Sequence, residues 1–312
     1  MIYRSAHLIA NNVVVDGALP FEIGAGVVLR RPDEQELPRI RELLAPVARP
    51  FIPYECQFTS MENGKIQIER IEDLNQWHYY VLSDDQGGSK VHELESALLF
   101  LEPSIELSVR VISRITGEHA TPENFGHAPP QPYILERYHY YALHNTERVV
   151  IRTVDFEVAE QLRVKLASLP DRYAFIRLAS DMMTEIRLIP WRSRLQVIGY
   201  FSIIESLVAH KPRLPESLDS ISHQIQGKLQ LLCNEAGFAS IVDGHFSSDK
   251  TIWKCLYAYR SALAHGNAVN FNGQFSILKS QENVARFLAS LTRRIMLFAL
   301  DRPQLLSDIK QC

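Results

Sequence analysis

The sequence predicts an α+β protein, with a mixed α/β region over residues 1–153, a connecting segment over 154–171 and an all-α helical bundle over 172–312. Three observations carry that expectation. At 312 residues the chain exceeds the ~100–200 usual for one domain, and its 46% apolar content is enough for two cores. Near residue 153 the apolar pattern changes from short runs separated by turn signals to repeats at helical spacing. Charge changes as well: residues 1–170 carry 16 basic and 24 acidic side chains and residues 171–312 carry 17 and 12, so a net charge of −3 divides into −8 and +5. The basic half points mildly toward a polyanionic partner and falls far short of a dedicated nucleic-acid binder.

In the first half, Val13-Val-Val15 and Gly26-Val-Val-Leu29 are expected strands. Pro32-Asp33-Glu34 opens a short charged helix to Leu44, with Asp33 placed to cap it. Trp77-His-Tyr-Tyr-Val-Leu82 reads as a strand, ended by Asp84-Asp85-Gln86-Gly87-Gly88. From Lys90 onward Leu94, Ala97, Leu98 and Leu101 recur at helical spacing until Pro103 stops the helix. A Pro- and Gly-rich loop runs from Thr121 to Pro132, and Tyr138-His-Tyr-Tyr141 and Val149-Val-Ile-Arg-Thr153 then read as strands. Beyond Asp155, helices are expected at about 156–168, 173–189, 193–210, 217–236, 249–265 and 280–301. The last sets Val284, Phe287, Leu288, Leu291, Ile295 and Phe298 on one stripe, as a bundle helix requires.

Several function classes lack support. Cys56, Cys233, Cys255 and Cys312 are scattered, with no Cys-x-x-Cys pair and no His at ligand spacing, so neither a metal site nor a disulfide framework is indicated. No motif calls for a cofactor. Met1-Ile-Tyr-Arg-Ser-Ala-His7 lacks a charged segment followed by an apolar run, and no window approaches ~18 uninterrupted apolar residues. A soluble, cytoplasmic protein with no membrane partner is the expectation.

The candidate chemistry lies in Arg260-Ser-Ala-Leu-Ala-His265-Gly266, an anion-binding guanidinium and a titratable imidazole near one helix end. With 24 Arg and 11 His in the chain, such spacing also arises by coincidence: Arg114 to His119 has it and Arg137 to His144 comes close. Both of those fall in strand or loop patterns. In the helix expected over 249–265, Ile252, Cys255, Leu256, Tyr259 and Leu263 share one apolar face. Arg260 sits about 80° off that face, and His265 lies about 140° further round and about 7.5 Å along the axis. Between them Tyr257, Ser261 and Ala264 form a sector small enough for a second element to cover. The helix expected at 193–210 divides similarly, into a core stripe of Val197, Tyr200, Phe201, Ile204, Leu207 and Val208 and a small-residue back of Leu195, Gly199, Ser202, Ser206 and Ala209. Glu205 stands at the edge of that back, which suits either tight packing within the bundle or a dimer interface. Gly266 fits the left-handed position after a helix end, which sets His265 at the negative pole of the macrodipole, where an imidazolium is favoured. A histidine that merely ends a helix is the plainer reading.

These features together resemble the HEPN superfamily, and within it the ApeA-like domains, over residues 172–301. The resemblance rests on Arg-x4-His near the end of a late bundle helix, on the aromatic segment Trp253-Lys-Cys-Leu-Tyr257 before it, on the Gly after it, and on Ile204-Glu205-Ser206-Leu207 as the earlier Glu-bearing helix. It implies a metal-independent endoribonuclease of a toxin-like or anti-phage defence type, acting on RNA as a homodimer whose two Arg-x4-His motifs line one groove. By the same resemblance Arg260 would bind the phosphate and His265 would act as general acid/base, supported by Ser261, Glu205, Tyr257 and Asn267, with no metal and no cofactor. The N-terminal region would be a sensor, although no motif there names a ligand or protein. Ser261 departs from the Asn, Asp or His common after the Arg in active members, and His265-Gly-Asn267 lacks the Tyr of the His-x-Tyr variety. A non-catalytic HEPN module that binds RNA or protein as a scaffold is the alternative.

Overall fold

Two strands that alternate buried and half-exposed residues organise the first half of the chain. In β8 (Leu107–Thr116), Val109 and Val111 are wholly buried, and β1 (Ile2–Ile9) lies antiparallel to it with Ala6 opposite Val111. The computed structural model describes residues 2–46, 51–116, 119–122, 148–190, 192–211, 221–235, 242, 244–246 and 251–312, and its architecture is α+β. By chain contacts it divides into two compact units, Met1–Val164 and Lys165–Cys312.

The first unit adds β2 (Val13–Asp16), β3 (Phe21–Gly24), β4 (Val27–Arg30), α1 (Glu36–Leu44), β5 (Cys56–Ser60), β6 (Ile66–Arg70), β7 (Val81–Asp84), α2 (Ser89–Leu98), β9 (His119–Pro122) and β10 (Val149–Arg152). A six-stranded antiparallel sheet runs β3-β4-β7-β1-β8-β9, beside a parallel β2–β10 pair and a β5–β6 hairpin. Ile40 and Leu44 of α1 close over Ala6, Leu8, Val81, Val109 and Val111, joined by Tyr54, Trp77 and Tyr79. As anticipated, Asp33 caps the entry to α1: its Oδ1 accepts from the Gln35 and Glu36 N–H groups while Glu36 Oε2 accepts from Asp33 N–H, a reciprocal capping box.

The sequence reading overlooked β1 and β8, the two longest strands of the sheet, because Ser5 and His7 break the apolar run of one and Ser108, Arg110 and Ser113 that of the other. It also began β7 four residues early. The rings of Trp77, Tyr79 and Tyr80 are buried, but pairing with β1 and β4 starts only at Val81. The expected strand Tyr138–Tyr141 and the loop beyond Pro122 lie outside the described residues.

Asp84 ends β7 with a buried carboxylate. Its Oδ1 accepts from the Gln86 and Gly88 N–H groups at 2.9 and 2.7 Å and its Oδ2 from Lys90 and Val91 at 2.9 and 3.1 Å, which satisfies the start of α2. Burial pushes its pKa up, but the four N–H donors outweigh that and hold it below the ordinary value. Nearby in the same unit, burial and Arg110 bring His7 down to about 3, and burial and Arg148 bring His78 down to about 4. Below pH ~6.5 the unfolded chain takes up protons that these two folded imidazoles refuse, so stability should fall with a slope that approaches, at most, about 1.4 kcal/mol per pH unit for each histidine. Asp84 contributes at neutral pH and loses its contribution only in stronger acid, as pH drops through its lowered pKa. Urea melts of the full chain at pH 7, 6 and 5 should show falling stability, and His7→Gln/His78→Gln should flatten the slope. An equally steep slope in the double variant would refute this account.

The second unit is helical. The division falls in the last turn of α3 (Thr153–Ala167), and α4 (Ala174–Ile186), α5 (Arg194–Val208), α6 (Ile221–Glu235), α7 (Ile252–Ala264), α8 (Gln281–Asp301) and α9 (Pro303–Gln311) follow. Each matches an expected helix except α9, which the sequence reading lacked; the expected ends at 217, 236 and 249 lie outside the described residues. On α8, Val284, Phe287, Leu288, Leu291 and Ile295 are fully buried and Phe298 nearly so. Helix α5 is the hub, touching α4, α6, α7, α8 and α9. Accordingly its burial extends beyond the expected stripe to Ile203, and Tyr200 is only half-buried. No described helix is long and apolar enough to cross a membrane.

Gly199 of α5 is small because α4 lies against it. A Cβ there would fall 2.3 Å from Cδ1 of Ile186, so the close approach inferred from sequence is met within the unit at this position. Gly199→Trp is therefore expected to destabilise the bundle, by at least the ~1–3 kcal/mol typical of overpacking, rather than to report on dimerisation. A thermal melt unchanged from wild type would contradict the packing.

Candidate functional site

Helix α7 carries Arg260 and leads directly to His265. Ile252, Leu256 and Tyr259 anchor it in the core, while Cys255 and Leu263 are half-buried at the margins of that face. Its end is closed by two backbone bonds, Gly266 N–H to Leu263 O at 3.2 Å and Asn267 N–H to Ala262 O at 2.8 Å, with Gly266 at φ 69°. That is a Schellman motif, and the left-handed residue it needs is the glycine read from sequence. It stops the chain where His265 is exposed as the cap residue.

Arg260 leaves the helix on a different side and meets α5. Its Nη2 donates to Glu205 Oε2 at 3.3 Å, and its guanidinium carbon stands 5.8 Å from the Tyr257 ring centroid. Glu205 Oε1 lies 3.2 Å from the same nitrogen, within ion-pair reach but off the line of an N–H. Oε1 and Arg260 Nε are both buried without a hydrogen-bond partner. The pair is three-quarters or more shielded, with the two side chains 25% and 19% exposed. Burial raises the Glu205 pKa, and the charge and hydrogen bond of Arg260 only partly offset it. The Glu205 carboxylate thus leaves at least one buried donor of the guanidinium, Nε, unused.

The fold thus brings together Arg260, Glu205 and Tyr257. His265 and Asn267 are exposed beyond the helix end, and their side chains make no hydrogen bond or ion pair among the described residues. Ser261 and Tyr257 are half-buried and Ala264 is exposed. Of the decoys, Arg114 is exposed near the end of β8 and His119 opens the neighbouring strand. Arg137 and His144 lie outside the described residues. Tyr259 was read simply as core. Its ring packs against those of Phe271 and Phe275, but its hydroxyl is buried with no hydrogen-bond partner among the described residues, and burial pushes its pKa up to about 12 against an opposing influence of Arg194. Arg194 belongs to α5, so helical spacing within α7 carries no sign of it. Among the described residues no three His, Cys, Asp or Glu side chains are grouped to hold a metal ion. No family model matches the chain, and no curated protein or solved structure matches it either.

Proposed function

We propose that this protein is a metal-independent endoribonuclease of the HEPN type, with Arg260 and His265 as its working groups. The observation that carries the reading is the exit of a shielded but under-satisfied guanidinium and an uncommitted imidazole from one helix, neither of them part of its core face. Arg260 would turn from Glu205 to a phosphate and, with two parallel N–H bonds, hold the charge that develops on its oxygens. His265 would take the proton from a ribose 2′-OH as that oxygen attacks the adjacent phosphorus, and a protonated imidazole would supply one to the departing 5′-oxygen. Products are a 2′,3′-cyclic phosphate and a 5′-hydroxyl, and the need for the 2′-OH selects RNA over DNA.

On one helix the two side chains diverge by about 140°, so a phosphate between two copies, reached by Arg260 of one and His265 of the other, is the simplest way to use both. This makes a homodimer part of the proposal, and Ser261, half-buried in the sector between them, is the position to probe by Ser261→Trp in light scattering. A toxin-like or defence role is the biological form this activity suggests.

The second reading, a non-cleaving HEPN scaffold, is favoured by one observation: Arg260 already has a carboxylate partner in Glu205. Incubating the full chain with total RNA in EDTA, beside His265→Ala, separates the two. Cleavage by wild type alone supports the nuclease. No cleavage by either supports the scaffold.

A further inference from the structure

Within the first unit a cleft of about 400 Å³ is lined by Arg4, Leu19, Pro20, Arg30, Arg31 and Asp33. Register explains why three arginines converge. Ala6 pairs with Ser83 and Arg30 with Val81, so alternation sends Arg4 and Arg30 out on the same face of the sheet, and Arg31 follows on the segment entering α1. The three guanidiniums are not equivalent. Arg30 is locked, its two terminal nitrogens each 2.7 Å from a Glu36 oxygen and its Nε 3.0 Å from Ser83 Oγ. Arg4 holds Asp85 at 2.9 Å in an exposed pair, the kind that exchanges partners at little cost. Arg31 has no acidic partner among the described residues: it donates to the carbonyl of Trp77 and lies 5.4 Å from the Tyr80 ring centroid. Asp33, the acidic lining residue, is turned to the start of α1, where its Oδ1 accepts from two backbone N–H groups.

Arg31 also lines a second hollow of about 170 Å³, bounded by Leu37, Leu74, Asn75, Trp77 and Tyr79. One side of the same residue is thus cationic, and the other is apolar and aromatic with a single amide. We propose that these adjoining spaces bind a nucleoside phosphate. The phosphate is held by Arg31 and by Arg4 released from Asp85, and the base rests in the hollow against Leu74 and Trp77 with Asn75 at its edge. Arg30, fixed by Glu36, shapes the cleft rather than contacting the ligand.

Calorimetry on the full chain with the four ribonucleoside monophosphates and triphosphates, the matching nucleosides and inorganic pyrophosphate tests this without reading RNA cleavage, so its outcome is independent of the nuclease reading. At least one nucleotide should bind, and its nucleoside and pyrophosphate should each bind about 10-fold or more weakly. Arg31→Ala should weaken the nucleotide by about 10-fold or more. Because Arg31 also ties down Trp77, Arg4→Glu at the exposed rim serves as a second variant with the same expected loss. The proposal is overturned if no nucleotide binds the folded protein, if pyrophosphate binds as tightly as the nucleotide, or if binding survives both substitutions.

Discussion

Replacing His265 with alanine is expected to slow RNA cleavage by roughly 10²–10⁴-fold, the usual contribution of a positioned proton-transfer group. The fold should be untouched. His265 is exposed, its side chain holds nothing, and the Schellman closure depends on the backbone of Gly266 and Asn267 rather than on the imidazole. Thermal melts of wild type and variant should therefore superimpose while their rates on labelled RNA in EDTA diverge. His119→Ala and His144→Ala, the other histidines at comparable distance from an arginine, should cleave like wild type. If His265→Ala cuts at the wild-type rate, the imidazole takes no part in the chemistry and the scaffold reading stands.

Arg260→Ala should be at least as damaging to the rate, on the order of 10²–10³-fold or more, since it removes both a phosphate contact and charge stabilisation in the transition state. Arg260→Lys should not restore it, because an ammonium lacks the planar fork. Unlike the histidine variant, it should also cost stability. Glu205 is 19% exposed, and without the guanidinium its carboxylate would be left shielded and unpaired, a penalty of about 1–3 kcal/mol. Adding Glu205→Gln should recover most of that, because the neutral amide is cheaper to bury than a carboxylate whose ionised form burial already disfavours. Cleavage should not recover with it. This split distinguishes a working arginine from a structural one. A folded Arg260→Ala/Glu205→Gln protein that cuts RNA like wild type would show that Arg260 serves only the ion pair.

The two readings of α5 illustrate how far a linear pattern reaches. Its small-residue back was visible in Gly199, Ser202 and Ser206, but whether a neighbour in the same bundle or a second copy lay against it was not. Ile186 answers the question at Gly199. Ser202 and Ser206 are also occupied locally, each hydroxyl bonded to a carbonyl one turn back, at Ile198 and Ile203. In the first unit, the capping box at Asp33 could be read from four consecutive positions. The convergence of Arg4, Arg30 and Arg31 could not, since it depends on which strands lie side by side.

What the sequence determined by itself was everything whose cause is local: the change from mixed to helical pattern, the buried stripe of α8, the capping of α1, and a helix ending at His265 because Gly266 can adopt φ 69°. These follow from periodicity and from backbone sterics acting within a turn or two. Tertiary packing alone decided the strand order that sets β1 between β7 and β8 and the meeting of Arg260 with Glu205 across 55 residues of chain. Such contacts carry no periodic signature. Their partners are chosen by how elements pack, and the shielding that raises the Glu205 pKa and leaves Arg260 Nε unpaired arises only once α5 and α7 are in contact.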